Sequence, residues 1–171
     1  MPQFVLDTSG QVAPPASAKL WPHPLRWDQL SPFAQGYIEA LFFTESAPHV
    51  TSRQFMTKAY QKRLENGEVD GSLPGDVGFS DLAPDTLNAI LRECGDFQRD
   101  NADALAKAYD HGGVSGDYDE AAAGRDYWYT RNGHGVGFWD RGLADIAEAL
   151  ASAAGYSERY ASFYNGKVHL D

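Results

Sequence analysis

The chain has 171 residues, of which 43% are hydrophobic, 13% aromatic and 22% charged, a composition that describes a folded globular protein and excludes disordered and fibrous classes. That length can build one hydrophobic core without disulfides or structural metal, so a single domain over residues 1–171 is expected. The formal charge of −10 is concentrated between Glu65 and Glu120, where fourteen acids face only Arg92, Arg99 and Lys107; such a surface repels duplex DNA and favours a basic partner.

No apolar run approaches the roughly 20 residues that span a bilayer. The opening MPQFVLDTSG lacks the basic start and apolar segment of a secretory signal, so a cytosolic chain without membrane contact is expected. The single Cys94 has no internal disulfide partner and falls on the apolar face of an expected helix, as a buried, inert thiol does.

In chain order, Phe4 to Leu6 reads as a short strand closed by Asp7-Thr8-Ser9-Gly10, with a proline-punctuated loop through Pro24. Ser31-Pro32 starts a helix, since serine caps free amides and proline suits the first helical position; Phe33, Tyr37, Ile38, Leu41 and Phe42 then follow at helical spacing. A weaker helix is expected from about Ser52 to Leu64, followed by a loop, NGEVDGSLPGDVG. The strongest helical pattern runs from Asp81 to Asp110, entered through Pro84, with Leu87, Ile90, Leu91, Cys94, Phe97 and Leu105 on one stripe and Gly95 as its weak point. The segment HGGVSGDYDEAAAG reads as a second break.

Beyond it, the run DYWYTRNGHGVGFWDR sets two aromatic-rich segments around Asn132-Gly133, the pair best suited to a two-residue type I′ turn. A hairpin over Arg125 to Arg141 is therefore expected. Its register places Arg131 opposite His134, Tyr129 opposite Val136, Tyr127 opposite Phe138 and Arg125 opposite Asp140, the last as an ion pair. The other face carries Asp126, Trp128 and Thr130 against Trp139, Gly137 and Gly135, and the bare glycine strip admits either a ligand or the next helix. That helix, Leu143 to Ala154, is alanine-rich and suits close packing on glycine. A second hairpin turns at Asn165-Gly166, with Ala161, Phe163, Val168 and Leu170 on its buried face. The fold expected is α+β: a mainly helical part over 1–120 packed with an antiparallel hairpin–helix–hairpin sheet over 121–171.

No phosphate loop, dinucleotide fingerprint, HExxH, CxxC or GxSxG pattern occurs. His23, His49, His111, His134 and His169 lack helical or finger-like spacing, so neither a metal nor a cofactor is expected. The candidate binding residues are Arg131, Asn132 and His134 at an exposed hairpin tip, with Trp128, Trp139, Gly135 and Gly137 beside it. Catalysis, if present, would draw on His134, Arg131 and Asp140, with the tryptophans stacking on a base in a nucleotide- or nucleic-acid-processing enzyme.

The run GRDYWYTRNGHGVGFWDRG resembles the hallmark of a family of small proteins encoded by tailed bacteriophages and prophages, and FVLDTSG, PFAQGYIEALFFTE and DLAPDTLNAILRECGDF extend the likeness over most of the chain. The chain departs from that pattern where Arg125 stands in place of a histidine before Asp126, and where Tyr127 and Tyr129 replace apolar residues. The resemblance implies no activity; it implies a protein made in the cytoplasm of an infected bacterial cell and an accessory role. Three readings follow: a non-enzymatic binding protein acting on a host or defence protein, the nucleotide enzyme above, and an assembly protein forming a homo-oligomer through a sheet edge.

Overall fold

A computed structural model describes residues 25–69, 71–114 and 116–171. The Phe4 to Leu6 strand, the proline loop and His23 lie outside the described residues. The fold is α+β and mainly helical, with a small antiparallel sheet at the C-terminus. Its principal elements are α1 (Pro32–Glu45), β1 (Ser46–Ala47), α2 (Ser52–Phe55), α3 (Lys58–Glu65), β2 (Leu73–Pro74), α4 (Pro84–Asp100), α5 (Ala102–His111), α6 (Glu120–Arg131), α7 (Asp145–Ala154), β3 (Ala161–Tyr164) and β4 (Lys167–Leu170).

Contacts divide the chain into two compact units, each discontinuous in sequence. The first comprises the described part of Met1–Gln29 with Leu41–Asn88 and Tyr160–Asp171; the second comprises Leu30–Ala40 and Ala89–Arg159.

In the first unit β1 lies parallel to β2, and β3 pairs antiparallel with β4 in the expected register, Ala161 to Leu170 through Tyr164 to Lys167. Asn165 and Gly166 have φ of 51° and 71°, the two positive values a type I′ turn requires. Val168 ties the hairpin down: its carbonyl accepts from Ala83 N at 2.8 Å, and it is buried with Phe79, Leu82 and Leu87. Phe55 packs edge-on against Phe163, with ring centroids 6.0 Å apart. The weaker expected helix is two pieces, because Thr57 leaves helical geometry and caps α3, its hydroxyl accepting from Tyr60 N.

In the second unit the sequence reading of residues 125–141 is overturned. These residues are not a hairpin: helix α6 occupies Glu120–Arg131, and a short 3-10 turn occupies Phe138–Arg141. Aromatic β-propensity yields here to stronger local signals, since the Asp119 side chain caps the helix by accepting from Ala122 N and Glu120-Ala-Ala-Ala supplies good helix formers. The segment read as a break through Gly124 therefore contains the start of α6. Ala123, Tyr127, Trp128 and Arg131 then fall inward at helical spacing.

Asn132-Gly133 ends this helix instead of turning a hairpin. His134 N donates to the Tyr129 carbonyl at 3.0 Å and Gly133 N to the Thr130 carbonyl at 3.3 Å, the paired bonds of a Schellman cap, with Gly133 at φ 67°. Tyr129 and His134 make the side-chain contact that accompanies such a cap, edge to face at 5.8 Å.

Helices α1 and α6 meet backbone to backbone. A Cβ on Gly36 would lie 2.0 Å from the Ala121 carbonyl oxygen, and one on Gly124 would lie 1.9 Å from that of Phe33. The close approach expected of alanine on Gly135 and Gly137 is thus made by two other glycines, one from each helix. Around it, Phe33 and Tyr37 pack on Tyr127, and Tyr37 meets Trp128 edge-on with centroids 5.2 Å apart. Helix α7 buries Ala147 and Leu150.

Alanine substitutions at glycine should therefore differ in sign. Gly36→Ala or Gly124→Ala forces two backbones apart and is expected to cost about 3 kcal/mol, roughly 6–12 °C in Tm. Gly95→Ala, in the exposed interior of α4 with open space at the Cβ position, is expected to stabilise by about 0.5–1 kcal/mol. Thermal unfolding followed by circular dichroism measures all three.

Candidate functional site

The candidate site is the segment from Arg131 to Gly142 together with the part of α6 that anchors it, all within the second unit. Its chemistry starts from a carboxylate that does not reach solvent: Asp126, 0% exposed, projects from α6 into the protein. Arg141 answers it with a fork, Nη2 to Oδ1 at 2.6 Å and Nε to Oδ2 at 2.9 Å, and the Tyr118 hydroxyl donates to Oδ2 at 3.0 Å. A buried charge requires such pairing and hydrogen bonding to be tolerated. The pair holds Arg141 ionised more firmly, through its hydrogen bonds to Asp126. Burial, and then the charge of Asp126, push the Tyr118 hydroxyl well above the usual tyrosine range.

Because Arg141 follows the 3-10 turn, this pair pins the loop to the helix that precedes it. Further bonds complete the attachment. The Thr130 hydroxyl accepts from Phe138 N at 3.4 Å, the Asp140 carboxylate accepts from Gly137 N at 3.0 Å, and the Arg141 carbonyl accepts from Val114 N at 2.8 Å. Phe138 and Leu143 are fully buried below. Gly137 is required for room: a Cβ there would lie 2.5 Å from the Thr130 hydroxyl and 2.9 Å from the Trp139 ring.

On this anchored segment Trp139 stays 47% exposed and Val136 43% exposed, with Val114 exposed on the adjoining loop. Tyr156, also exposed, lies against Gly133, where a Cβ would come within 2.7 Å of its ring. The arrangement presents apolar and aromatic side chains to solvent on a segment held by the backbone bonds of Gly133, His134, Gly137, Phe138 and Asp140.

The residues expected at an exposed tip are distributed differently. Arg131 is 4% exposed, turned inward, and forms an ion pair with Glu93 on α4; its Nε donates to the Ser157 carbonyl at 3.1 Å. Desolvation lowers its pKa from the ordinary arginine value, and the neighbouring Arg159 charge lowers it further while Tyr37 opposes both. Asn132 is half-buried and acts as a brace, donating to the Trp128 carbonyl at 2.9 Å and accepting from Arg159 N at 2.6 Å. His134 is half-buried in the helix cap, its Nε2 enclosed without a hydrogen-bond partner. Gly135 is exposed with open space around it, Trp128 is fully buried against Tyr37, and only Trp139 of the two tryptophans faces solvent.

The expected Arg125 to Asp140 ion pair is absent: Arg125 pairs with Glu39 on α1 at 2.9 Å, while Asp140 caps the turn. Arg131 and Asp140, offered for catalysis, are each committed to these structural bonds. Among the described residues no three His, Cys, Asp or Glu side chains are grouped to hold a metal ion. No described helix is long and apolar enough to cross a membrane. Cys94 is buried, and desolvation pushes its thiol well above the ordinary range.

Sequence reasoning missed Glu93, Arg141 and Arg159, which do much of the electrostatic work. Glu93 accepts from Arg159 Nη2 at 3.3 Å and from the Tyr37 hydroxyl at 3.3 Å, besides pairing with Arg131. A polar residue on an otherwise apolar helical stripe was the available signal for Glu93. Comparison with protein-family models, curated proteins and solved structures gives no match.

Arg141→Ala strands the Asp126 carboxylate without its cation and is expected to cost about 3–5 kcal/mol in denaturant unfolding. A second expectation concerns alkaline pH. Burial pushes Tyr127 up to about 12 from an ordinary 10.0, so the folded state keeps a proton that the unfolded state releases. This contribution to stability is complete below pH 10 and is lost as pH rises from there towards 12. In an alkaline titration, tyrosinate from Tyr37, Tyr118 and Tyr127 should therefore develop together with loss of the helical signal; its full development in a still-helical protein would contradict their burial.

Proposed function

We propose that the chain is a non-enzymatic protein-binding module that docks through the loop between Gly133 and Gly142, with Trp139 as its anchor. The observation that carries this reading is a half-exposed tryptophan on a segment whose turn is held by the Asp126–Arg141 pair, the Thr130 hydroxyl and the Asp140 carboxylate. Aromatic anchors account for much of the affinity at protein interfaces, and a segment ordered before binding loses little conformational entropy on docking. Val136 and Val114 extend the apolar surface, and Tyr156 supplies a second exposed ring. With a net charge of −10, the partner best suited to this chain carries a basic rim around an apolar pocket. The likeness of TRNGHGVGFWDRG to phage proteins supports a host or defence protein in the bacterial cytoplasm as that partner.

A photo-crosslinking amino acid at position 139 tests this, with position 164, an exposed tyrosine of the first unit, as the control site. In bacterial lysate, position 139 should give a discrete adduct that excess wild-type chain suppresses and excess Trp139→Ala chain does not. The Trp139→Ala chain should keep its stability within about 0.5 kcal/mol, as exposed sites do. Adducts that are absent, or the same from both positions, would overturn the assignment.

A further inference from the structure

A cleft of about 500 Å³ opens in the second unit, with Arg92, Glu93 and Asp96 of α4 on one wall and Arg159 on another. Phe97 and Tyr127, whose rings stack with centroids 4.1 Å apart, line its apolar part. The volume lies in the range of small-molecule sites, and the lining combines an aromatic patch with a few convergent polar groups.

The lining carries two arginines, Arg92 and Arg159, and three carboxylates, Glu93, Asp96 and Asp100, with Arg99 and Arg131 paired to those acids from outside it. The lining acids are already claimed: Arg99 bonds Asp96 at 2.7 Å and Asp100 at 2.9 Å, while Glu93 is shared by Arg131 and Arg159. Four guanidinium groups thus meet three carboxylates, and Arg92 is exposed with no acidic partner among the described residues. Arg159 spends Nη2 on Glu93, but its Nε–H is enclosed and has no acceptor. The remainder of its side chain is 38% exposed, so the guanidinium edge away from Glu93 can receive an anionic oxygen. The Tyr127 hydroxyl accepts from Arg131 Nη1 at 3.5 Å, so its own proton remains available to a ligand.

We propose that this cleft binds a small organic anion, a carboxylate or phosphate monoester on an aromatic body, whose oxygens are held by Arg92 and the exposed edge of the Arg159 guanidinium and whose ring rests against Phe97 and Tyr127. The site is separate from the Trp139 surface and stands whether or not that surface binds a protein. Carboxylate and phosphate share the chemistry that two guanidinium groups recognise, and paired probes separate them.

The test is an NMR titration of the isotope-labelled full chain with benzoate, phenyl phosphate and, as an uncharged control, benzyl alcohol. Saturable shifts are expected at the Arg159 guanidinium and around Phe97 and Tyr127 with at least one anion, the tighter of the two identifying the head group. Arg92→Gln and Arg159→Gln should each weaken that binding about tenfold, the loss expected for one charge-assisted hydrogen bond. Arg92 is exposed, and exposed substitutions cost little stability, so its variant remains informative if Arg159→Gln unfolds. The proposal is overturned if neither anion saturates, if benzyl alcohol binds as tightly as the anions, or if Arg92→Gln keeps wild-type affinity.

Discussion

A carboxylate with no access to solvent is the constraint from which the second unit is built. Asp126 sits on the inner side of α6, where an uncompensated charge costs several kcal/mol, and a cation must therefore be brought to it. The cation comes from Arg141, fifteen residues on, and its bidentate grip fixes where the intervening chain can go. The Schellman cap at Gly133 turns the chain off the helix, the Thr130 hydroxyl and the Asp140 carboxylate hold the turn, and Phe138 fills the space beneath. Trp139 is left at the surface, with Val136, while Phe138 turns inward.

A second charge pattern supports the same helix. Arg131 is almost wholly buried, and Glu93 neutralises it from α4 while also receiving Arg159 and the Tyr37 hydroxyl. One carboxylate thus serves two guanidinium groups at the edge of the cleft lined by Arg92 and Arg159. Meanwhile Gly36 and Gly124 let α1 approach α6 closely enough for Tyr37 to reach both Trp128 and the Glu93 cluster. Packing and electrostatics are coupled here through a single tyrosine.

Helix α1, the C-terminal hairpin and the α+β class were legible in the sequence, because periodicity and turn chemistry agreed in each case; the helix expected over Asp81 to Asp110 is two, α4 and α5, parted at Asn101 and not at Gly95. The Asn-Gly pair at 132–133 was not, and the reason is physical. The same dipeptide serves a type I′ turn when both residues take positive φ, as Asn165 and Gly166 do, and a helix C-cap when only the glycine does, with Asn132 at −92°. What distinguishes them lies upstream: Asp119-Glu120-Ala-Ala-Ala nucleates a helix, and nothing comparable precedes Asn165. Once α6 is a helix, side chains assigned to alternating strand faces regroup. Arg131 moves inward, Asp126 finds Arg141 instead of a place on the glycine face, and the candidate surface passes from Arg131, Asn132 and His134 to Trp139 and its neighbours. The Asp126–Arg141 and Arg131–Glu93 pairings depend on tertiary geometry, so no local pattern announced them.

With these bonds in place the 133–142 loop is ordered before any partner arrives. Amide hydrogen exchange of the isolated protein tests it directly, read at Gly137 and Phe138, whose N–H groups donate to Asp140 and Thr130. Both should exchange within about tenfold of the slow amides of α6, as groups released only by opening of the whole unit. Exchange at the rate of an unprotected chain, with α6 still protected, would contradict it.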